Sequence, residues 1–145
     1  MEICSIGFAS RSAEDFFSAL EGASVKKLVD VRLNNTSQLS GFTKMNDLRF
    51  FLKRILGTDY VHELRLTPTQ DLLDGLRKEK KGWTWYEERF LALLEERQIH
   101  NRIEPSFFEP KSVLLCSESS PDQCHRRLVL EFLEEKWGSV TPIHL

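Results

Sequence analysis

Five short segments of the chain have the hydrophobic pattern of β-strands. Apolar or β-branched residues cluster within each segment, and glycine, proline or small polar residues flank most of them. The predicted strands are 3–8, 28–32, 59–64, 113–116 and 140–145. The run Val113-Leu114-Leu115-Cys116, which has no charged side chain, is the clearest buried strand.

Apolar positions that recur every three or four residues predict helices between these strands. Phe16, Phe17 and Leu20 form one such face, and the spacing of Ser12 and Asp15 matches a capping box at its start. The same periodicity predicts helices over 48–56, near Pro68, over 86–94 after a second capping-box pattern at Thr84 and Glu87, and over 128–137.

The alternation of strands and helices determines the expected fold class. It predicts a three-layer α/β fold, Rossmann-like in type, with a mainly parallel sheet of about five strands and helices on both faces. A chain of 145 residues without a linker or repeat is expected to form a single domain, 1–145. Ligands of such sheets bind beyond the carboxyl ends of the strands, here the loops after residues 8, 32, 64 and 116.

The composition is that of a soluble globular protein. Hydrophobic residues make up 41% and charged residues 29% of the chain, which excludes a disordered protein. The net charge of −2 argues against a protein that coats nucleic acid or an anionic membrane, because such proteins are usually basic. One basic segment, 77–82, is interpreted as a solvated loop, with a phosphate contact as the alternative.

The three cysteines, Cys4, Cys116 and Cys124, do not have the pattern of a secreted disulfide scaffold. Their number is odd and their spacing is uneven. The N-terminus lacks the basic start and the long apolar run of a signal peptide, and no apolar run approaches the roughly 20 residues that span a bilayer. We therefore expect a cytoplasmic protein with reduced thiols and no membrane partner.

The segment that joins the fourth strand to the last helix has the richest candidate chemistry. Cys124, His125, Arg126 and Arg127 begin that helix, and a helix start with guanidinium groups favours an anionic ligand. The same surroundings stabilise a thiolate, so Cys124 is the best nucleophile candidate, with packing as the alternative. His125 is a candidate acid or base, or a ligand-binding cation.

Further candidates lie at the ends of other predicted strands. Glu118 is interpreted as an orienter of an arginine, with a general base and a plain loop carboxylate as alternatives. Asp30 and Arg32 point to the same face of the second strand, either as an internal ion pair or as part of the site. Ser10 and Cys116 are ligand-binding candidates, although packing is the main role expected of Cys116.

No metal site is expected. Cys116, Cys124, His125 and His62 are enough ligands in number. However, seven residues separate the two cysteines, whereas paired zinc ligands are usually two to four residues apart.

Several motifs of the chain resemble those of a known family. They are S-I-G-F-A-S at 5–10, V-D-V-R at 29–32, Y-V-H-E-L at 60–64, C-S-E then C-H-R-R within 116–127, and T-P-I-H-L at 141–145. In this order they resemble the domain-of-unknown-function family numbered 488 over nearly the whole chain. Ser117 stands where that family usually has alanine, and 34–37 replaces its proline-containing loop. The resemblance implies the fold and the site but no reaction.

These residues support an enzyme or a binding module. The enzyme would act on a phosphate- or nucleotide-like anion bound by Arg32 and Arg126, with Cys124 or His125 in the reaction. The alternative is a non-catalytic nucleotide or nucleic-acid binding module that uses the same arginines. A third hypothesis is that the Cys-His-Arg cluster only ties the loop to the helix and has a purely structural role. The aromatic pair 83 and 85 is interpreted as core, with stacking on a base as the alternative. No cofactor is identified.

Overall fold

The centre of the structure, a computed structural model that describes all 145 residues, is a parallel sheet of five strands. The strands are β1 (Glu2–Gly7), β2 (Lys27–Asp30), β3 (Asp59–His62), β4 (Ser112–Cys116) and β5 (Thr141–His144). Their order across the sheet is β3-β2-β4-β1-β5, and every neighbouring pair is parallel. The predicted three-layer α/β class with about five strands is confirmed.

Six α-helices surround the sheet. They are α1 (Ala13–Gly22), α2 (Met45–Phe51), α3 (Gln70–Arg77), α4 (Trp83–Glu96), α5 (Ile99–Arg102) and α6 (His125–Trp137). A π-helical turn, Leu52–Leu56, extends α2, and 3-10 turns lie at Gln38–Thr43, Leu64–Leu66 and Pro105–Phe108. None of the helices is both long and apolar enough to cross a bilayer.

The strands bury side chains on both faces of the sheet, so the core has two halves. Along β4, Leu114 contacts the half that holds α3, α4, α5 and α6, whereas Val113 and Leu115 contact the half that holds α1 and α2. This alternation follows from the period of two in a strand, and it explains why the strands have continuous apolar runs. Burial on both faces leaves the carboxyl edge of the sheet as the place for polar side chains.

Local signals placed some helix boundaries well and one badly. Ser12 caps α1 as predicted, with its hydroxyl accepting from the Asp15 amide at 3.0 Å. The second capping box was wrong, because α4 begins at Trp83 and Thr84 lies inside its first turn. Gly82 precedes α4 with φ of 91°, a conformation that glycine adopts without strain, so the backbone turn decides the start.

The strand order brings two distant parts of the chain together. Because β4 lies between β2 and β1, Asp30 of β2 is in register with Leu115 of β4. The Val31 amide then donates to the Leu115 carbonyl at 3.1 Å, just beyond the end of β2. The segment after β2 therefore lies beside Cys116 and the start of α6, at one edge of the sheet.

Candidate functional site

A cavity of about 300 Å³ opens at the carboxyl edge of β2 and β4. We call it the edge cavity. The segments after β2 and β4 and the start of α6 form its polar side with Arg32, Asn34, Ser117, Glu118, Gln123 and His125. Leu33 of the segment after β2 also lines the cavity, and the rest of the lining comes from α3, α4 and Pro68, with Leu73, Leu76, Arg77, Trp83 and Tyr86. Cys116 and Cys124 complete the lining.

Cys116 and Cys124 are joined by a disulfide, which corrects the expectation of three reduced thiols. Only Cys4 is free, and it is buried in the other half of the core. The end of β4 and the start of α6 meet at the same edge, so the two sulfurs face each other across the intervening loop. In this state Cys124 is not a free nucleophile, and its prediction as one concerns the reduced protein.

His125 is a buried, neutral imidazole. Its Nε2 lies 2.6 Å from the carbonyl oxygen of Val31, which can only accept, so the ring donates from this nitrogen. Burial lowers the pKa of His125 to about 4, and the positive charge of Arg126 acts in the same direction. At neutral pH the ring therefore links α6 to the segment after β2 and does not act as a cation.

Arg126 is fully buried and holds the loop between β4 and α6. Its guanidinium donates to Ser5 Oγ at 3.2 Å, to the Glu118 carbonyl at 2.6 Å and to the Ser119 carbonyl at 3.3 Å. Its Nη1 is also 3.7 Å from the sulfur of Cys116. Burial lowers the pKa of Arg126 to about 10, and because this pKa is still above 7, the side chain stays charged at neutral pH.

Arg127 also binds this loop. It donates to the Pro121 carbonyl at 3.1 Å and to the Asp122 carbonyl at 2.9 Å, and it pairs with Glu131 at 2.8 Å. Neither Arg126 nor Arg127 lines the edge cavity. Their predicted ligand contacts stay predictions. In the structure, both side chains bind backbone carbonyls of the loop between β4 and α6.

Asp30 and Arg32 form a buried ion pair at the end of β2. The Arg32 Nε and Nη2 lie 2.9 and 2.8 Å from the two carboxylate oxygens, and Nη2 also donates to the Thr43 carbonyl at 2.7 Å. Burial alone raises the pKa of Asp30, but the hydrogen bonds and charge of Arg32 outweigh it and hold the pKa below its ordinary value. Tyr60 donates to the same carboxylate at 2.6 Å. Only Arg32 of the pair reaches the edge cavity.

Glu118 and Ser10 are placed differently from their predicted roles. Glu118 lines the edge cavity, but its exposed carboxylate makes no hydrogen bond or ion pair, so it orients no arginine. Its backbone carbonyl, not its side chain, binds Arg126. Ser10 is exposed, has φ of 61°, and lies outside the cavity lining.

Ligand contacts by the residues of α3 and α4 were predicted from the sequence only as alternatives to a solvated loop and to core packing. The Arg77 side chain lines the edge cavity and makes no ion pair or hydrogen bond. Its position in the basic segment 77–82 was the sequence signal for a phosphate contact. Trp83 stacks on Tyr86 with ring centroids 5.2 Å apart, and both rings line the cavity. Burial raises the pKa of Tyr86, so its hydroxyl is protonated at neutral pH. Trp85 packs against the core, as predicted.

Three potential metal ligands lie together at the edge cavity. The ligand atoms of Cys116, Cys124 and His125 are within 4.8 Å of one another. Here the two sulfurs are bonded to each other, and His125 Nε2 is engaged by Val31. The expectation of no metal stays a prediction.

Comparison with known proteins gives a family but no activity. The family described as Domain of unknown function DUF488 matches residues 12–133, which is most of the chain. The chain belongs to the DUF488 family. This confirms the family resemblance, and the match includes both Cys116 and the Cys124–Arg127 run, whereas the motifs at 5–10 and 141–145 lie outside it. No curated protein and no solved structure matches it. The DUF488 assignment names no reaction.

Substituting Gly7 tests its close packing against the loop between β4 and α6, which Arg126 holds. A Cβ at Gly7 would lie 1.5 Å from the Glu118 carbonyl oxygen and 2.9 Å from Arg126 Nη1. We expect Gly7→Ala to lower the free energy of unfolding by about 3 kcal/mol or more, because backbone atoms must move apart. Gly22→Ala is the matched control, since nothing lies within 4 Å of its Cβ position. Urea unfolding curves that are equal for the two variants would contradict this packing.

Acid destabilisation tests the buried state of His125. The folded-state pKa of about 4 is below the ordinary 6.5, so the unfolded chain binds the proton more tightly. The stability gained from keeping His125 neutral in the fold is therefore complete above about pH 6.5 and is lost as the pH falls toward 4. Between pH 7 and pH 5 we expect the free energy of unfolding to fall by about 2 kcal/mol because of His125.

The His125→Gln variant isolates this effect. Glutamine keeps an amide donor for the Val31 carbonyl but does not titrate. Urea unfolding at several pH values should therefore show a shallower loss for the variant than for the natural chain. Parallel pH profiles would show that His125 is not held neutral in the fold.

Proposed function

We propose that this protein is an enzyme that acts on a phosphate- or nucleotide-like anion bound in the edge cavity. The observation that supports this best is Arg77, a guanidinium without a protein partner in the cavity lining. A guanidinium of this kind is suited to a phosphate or carboxylate, which it binds through two parallel hydrogen bonds. Arg32 lines the same cavity, held in place by Asp30.

The start of α6 adds to the positive potential of the cavity. Cys124 is the N-cap of this 13-residue helix, and His125 is its first residue; both line the cavity. The unpaired amides of a helix start and its dipole favour an anion. The charge of Arg77 also lowers the pKa of His125, which supports a common electrostatic environment for the two groups.

The volume and the aromatic lining of the edge cavity favour a small ligand with a planar group. A volume of about 300 Å³ is at the small end of the range for ligand pockets, so it suits a mononucleotide better than a dinucleotide. The stacked rings of Trp83 and Tyr86 offer an aromatic wall for a base or another planar group.

The reacting groups that we assign are those that the ligand can touch. Glu118 has a free carboxylate in the lining, which suits proton transfer. Asp30 is a positioning residue, because its carboxylate is buried behind Arg32. His125 offers a neutral ring, and the Cys116–Cys124 pair offers sulfur chemistry when it is reduced.

A non-catalytic nucleic-acid binding module is the second candidate, favoured by the exposed segment beside Arg77. Lys78, Lys80 and Lys81 are exposed, and Lys81 Nζ lies 4.8 Å from the centre of the Trp85 ring. This module would bind an extended phosphate backbone outside the cavity, so its affinity should fall steeply with salt concentration.

Removing Arg77 tests the anion site. We expect adenosine monophosphate to bind the natural chain and the Arg77→Ala variant to bind it about tenfold more weakly, because a charge-assisted hydrogen bond is lost. Adenosine, which lacks the phosphate, should be insensitive to the substitution. Arg102→Ala is the matched control, since the Arg102 side chain is exposed, has no partner and lies outside the cavity lining.

Titration calorimetry with both ligands separates the two candidates. Equal affinity of the two arginine variants for the nucleotide contradicts the anion site. Binding of a single-stranded oligonucleotide that weakens steeply with salt, without nucleotide binding, favours the nucleic-acid module. Turnover of the nucleotide, followed by mass spectrometry and abolished by Glu118→Gln, supports the enzyme.

A further inference from the structure

We infer that Cys116 and Cys124 form a reversible thiol–disulfide couple whose reaction partner is a low-molecular-weight thiol that carries an anionic group. The inference rests on the proposed function, because the anionic group of this thiol is the ligand that Arg77 binds. The couple itself is independent of that proposal, since it is supported by where the two sulfurs lie.

The disulfide lies at the cavity where we propose that the ligand binds. Cys116 and Cys124 both line the edge cavity, and the residues themselves are only 2% exposed. Because the pair is buried and borders this cavity, we take the edge cavity as the side from which a reagent approaches the disulfide. Cys4 is buried in the other half of the core, so it cannot exchange with the pair.

Both sulfurs lie where a thiolate is stabilised. The Nη1 of the buried Arg126 is 3.7 Å from the Cys116 sulfur, so a thiolate there gains a charged hydrogen-bond donor. Cys124 is the N-cap of α6, where the helix dipole favours negative charge. A stabilised thiolate is a good leaving group, and it also stabilises the reduced form, which makes the disulfide an oxidant. These are the properties of a reactive pair and not of an inert structural bridge.

The exchange has two steps. The thiolate of the first partner molecule, RS⁻, attacks the Cys124 sulfur, the disulfide bond breaks, and Cys116 leaves as a thiolate beside Arg126. The second partner molecule, RSH, gives its proton to the Cys116 thiolate. The resulting RS⁻ attacks the partner's sulfur in the mixed disulfide and releases RSSR, with Cys124 leaving as a thiolate at the start of α6. The protein gains two electrons, and two partner thiols lose them.

The same steps in reverse regenerate the disulfide. The oxidant is then RSSR, the disulfide of the same partner, so no further reagent is required. The structure represents the oxidised end of this cycle. The direction in which it runs depends on the ratio of RSH to RSSR.

The lining of the edge cavity selects the charge of the partner. Arg77 is the cation of the lining without a protein partner, and it shares the cavity with the disulfide, so we assign it as the group that binds a carboxylate or phosphate on the thiol. A neutral thiol lacks this contact. We therefore expect selectivity for an anionic thiol to depend on Arg77.

Thiol counting on the folded, full-length chain tests the couple. The protein is treated at neutral pH with 3-mercaptopropionate or 2-mercaptoethanol, quenched in acid, unfolded and alkylated, and the adducts are counted by intact mass. The oxidised chain should carry one adduct, on Cys4, and the reduced chain three. Adding the disulfide of the same thiol should return the count to one. A count that stays at one or at three in every mixture overturns the couple.

The ratio of the two reduction rates tests the class of partner. The rate with 3-mercaptopropionate is divided by the rate with 2-mercaptoethanol for each protein. Comparing this ratio between variants cancels the intrinsic reactivity of each thiol. We expect this ratio to fall about fivefold in Arg77→Ala and to be unchanged in Arg102→Ala. A ratio equal in all three proteins overturns the anionic partner.

The outcomes separate this inference from the proposed function. Nucleotide binding that depends on Arg77, together with a fixed adduct count, leaves the anion site standing and overturns the couple. A reversible count with a ratio that is independent of Arg77, and no nucleotide binding, keeps the couple but overturns both the anionic partner and the proposed function.

Discussion

The buried guanidinium of Arg126 is the interaction on which the site depends. A fully buried charge is costly unless donors are matched by acceptors, and here Ser5 and the carbonyls of Glu118 and Ser119 supply them. These contacts tie β1 to the loop before α6 and hold that loop directly over Gly7. The loop in turn places Cys124 opposite Cys116 and gives α6 its start at the edge cavity.

The order of the strands supplies the second constraint. Because β2 and β4 are neighbours, the ion pair of Asp30 and Arg32 lies beside the end of β4, and His125 reaches the Val31 carbonyl across the same edge. The arrangement divides the charged residues into two groups. Asp30, Arg32 and Arg126 are buried and position their neighbours, with Arg32 bordering the cavity, whereas Arg77 is exposed in the cavity lining, where a ligand can contact it.

Local patterns predicted most of the fold and part of the site. Hydrophobic periodicity located five strands and the main helices, since both depend on neighbours in sequence. The motif around Cys124 and His125 indicated which loop borders the cavity. The roles of Arg126 and Glu118 were beyond such reasoning, because a side chain's partners depend on loops that meet only in the folded chain. The disulfide is a long-range feature of the same kind, whereas the basic segment 77–82 gave a local signal for Arg77 but not for the cavity that it lines.

The central claim is that the edge cavity binds an anion through Arg77, and a ligand soak tests it most directly. Crystals of the oxidised protein soaked with adenosine monophosphate should show the phosphate within hydrogen-bond distance of the Arg77 guanidinium, with the base against Trp83. Density for the nucleotide only at other surfaces, with water alone in the cavity, would contradict the account.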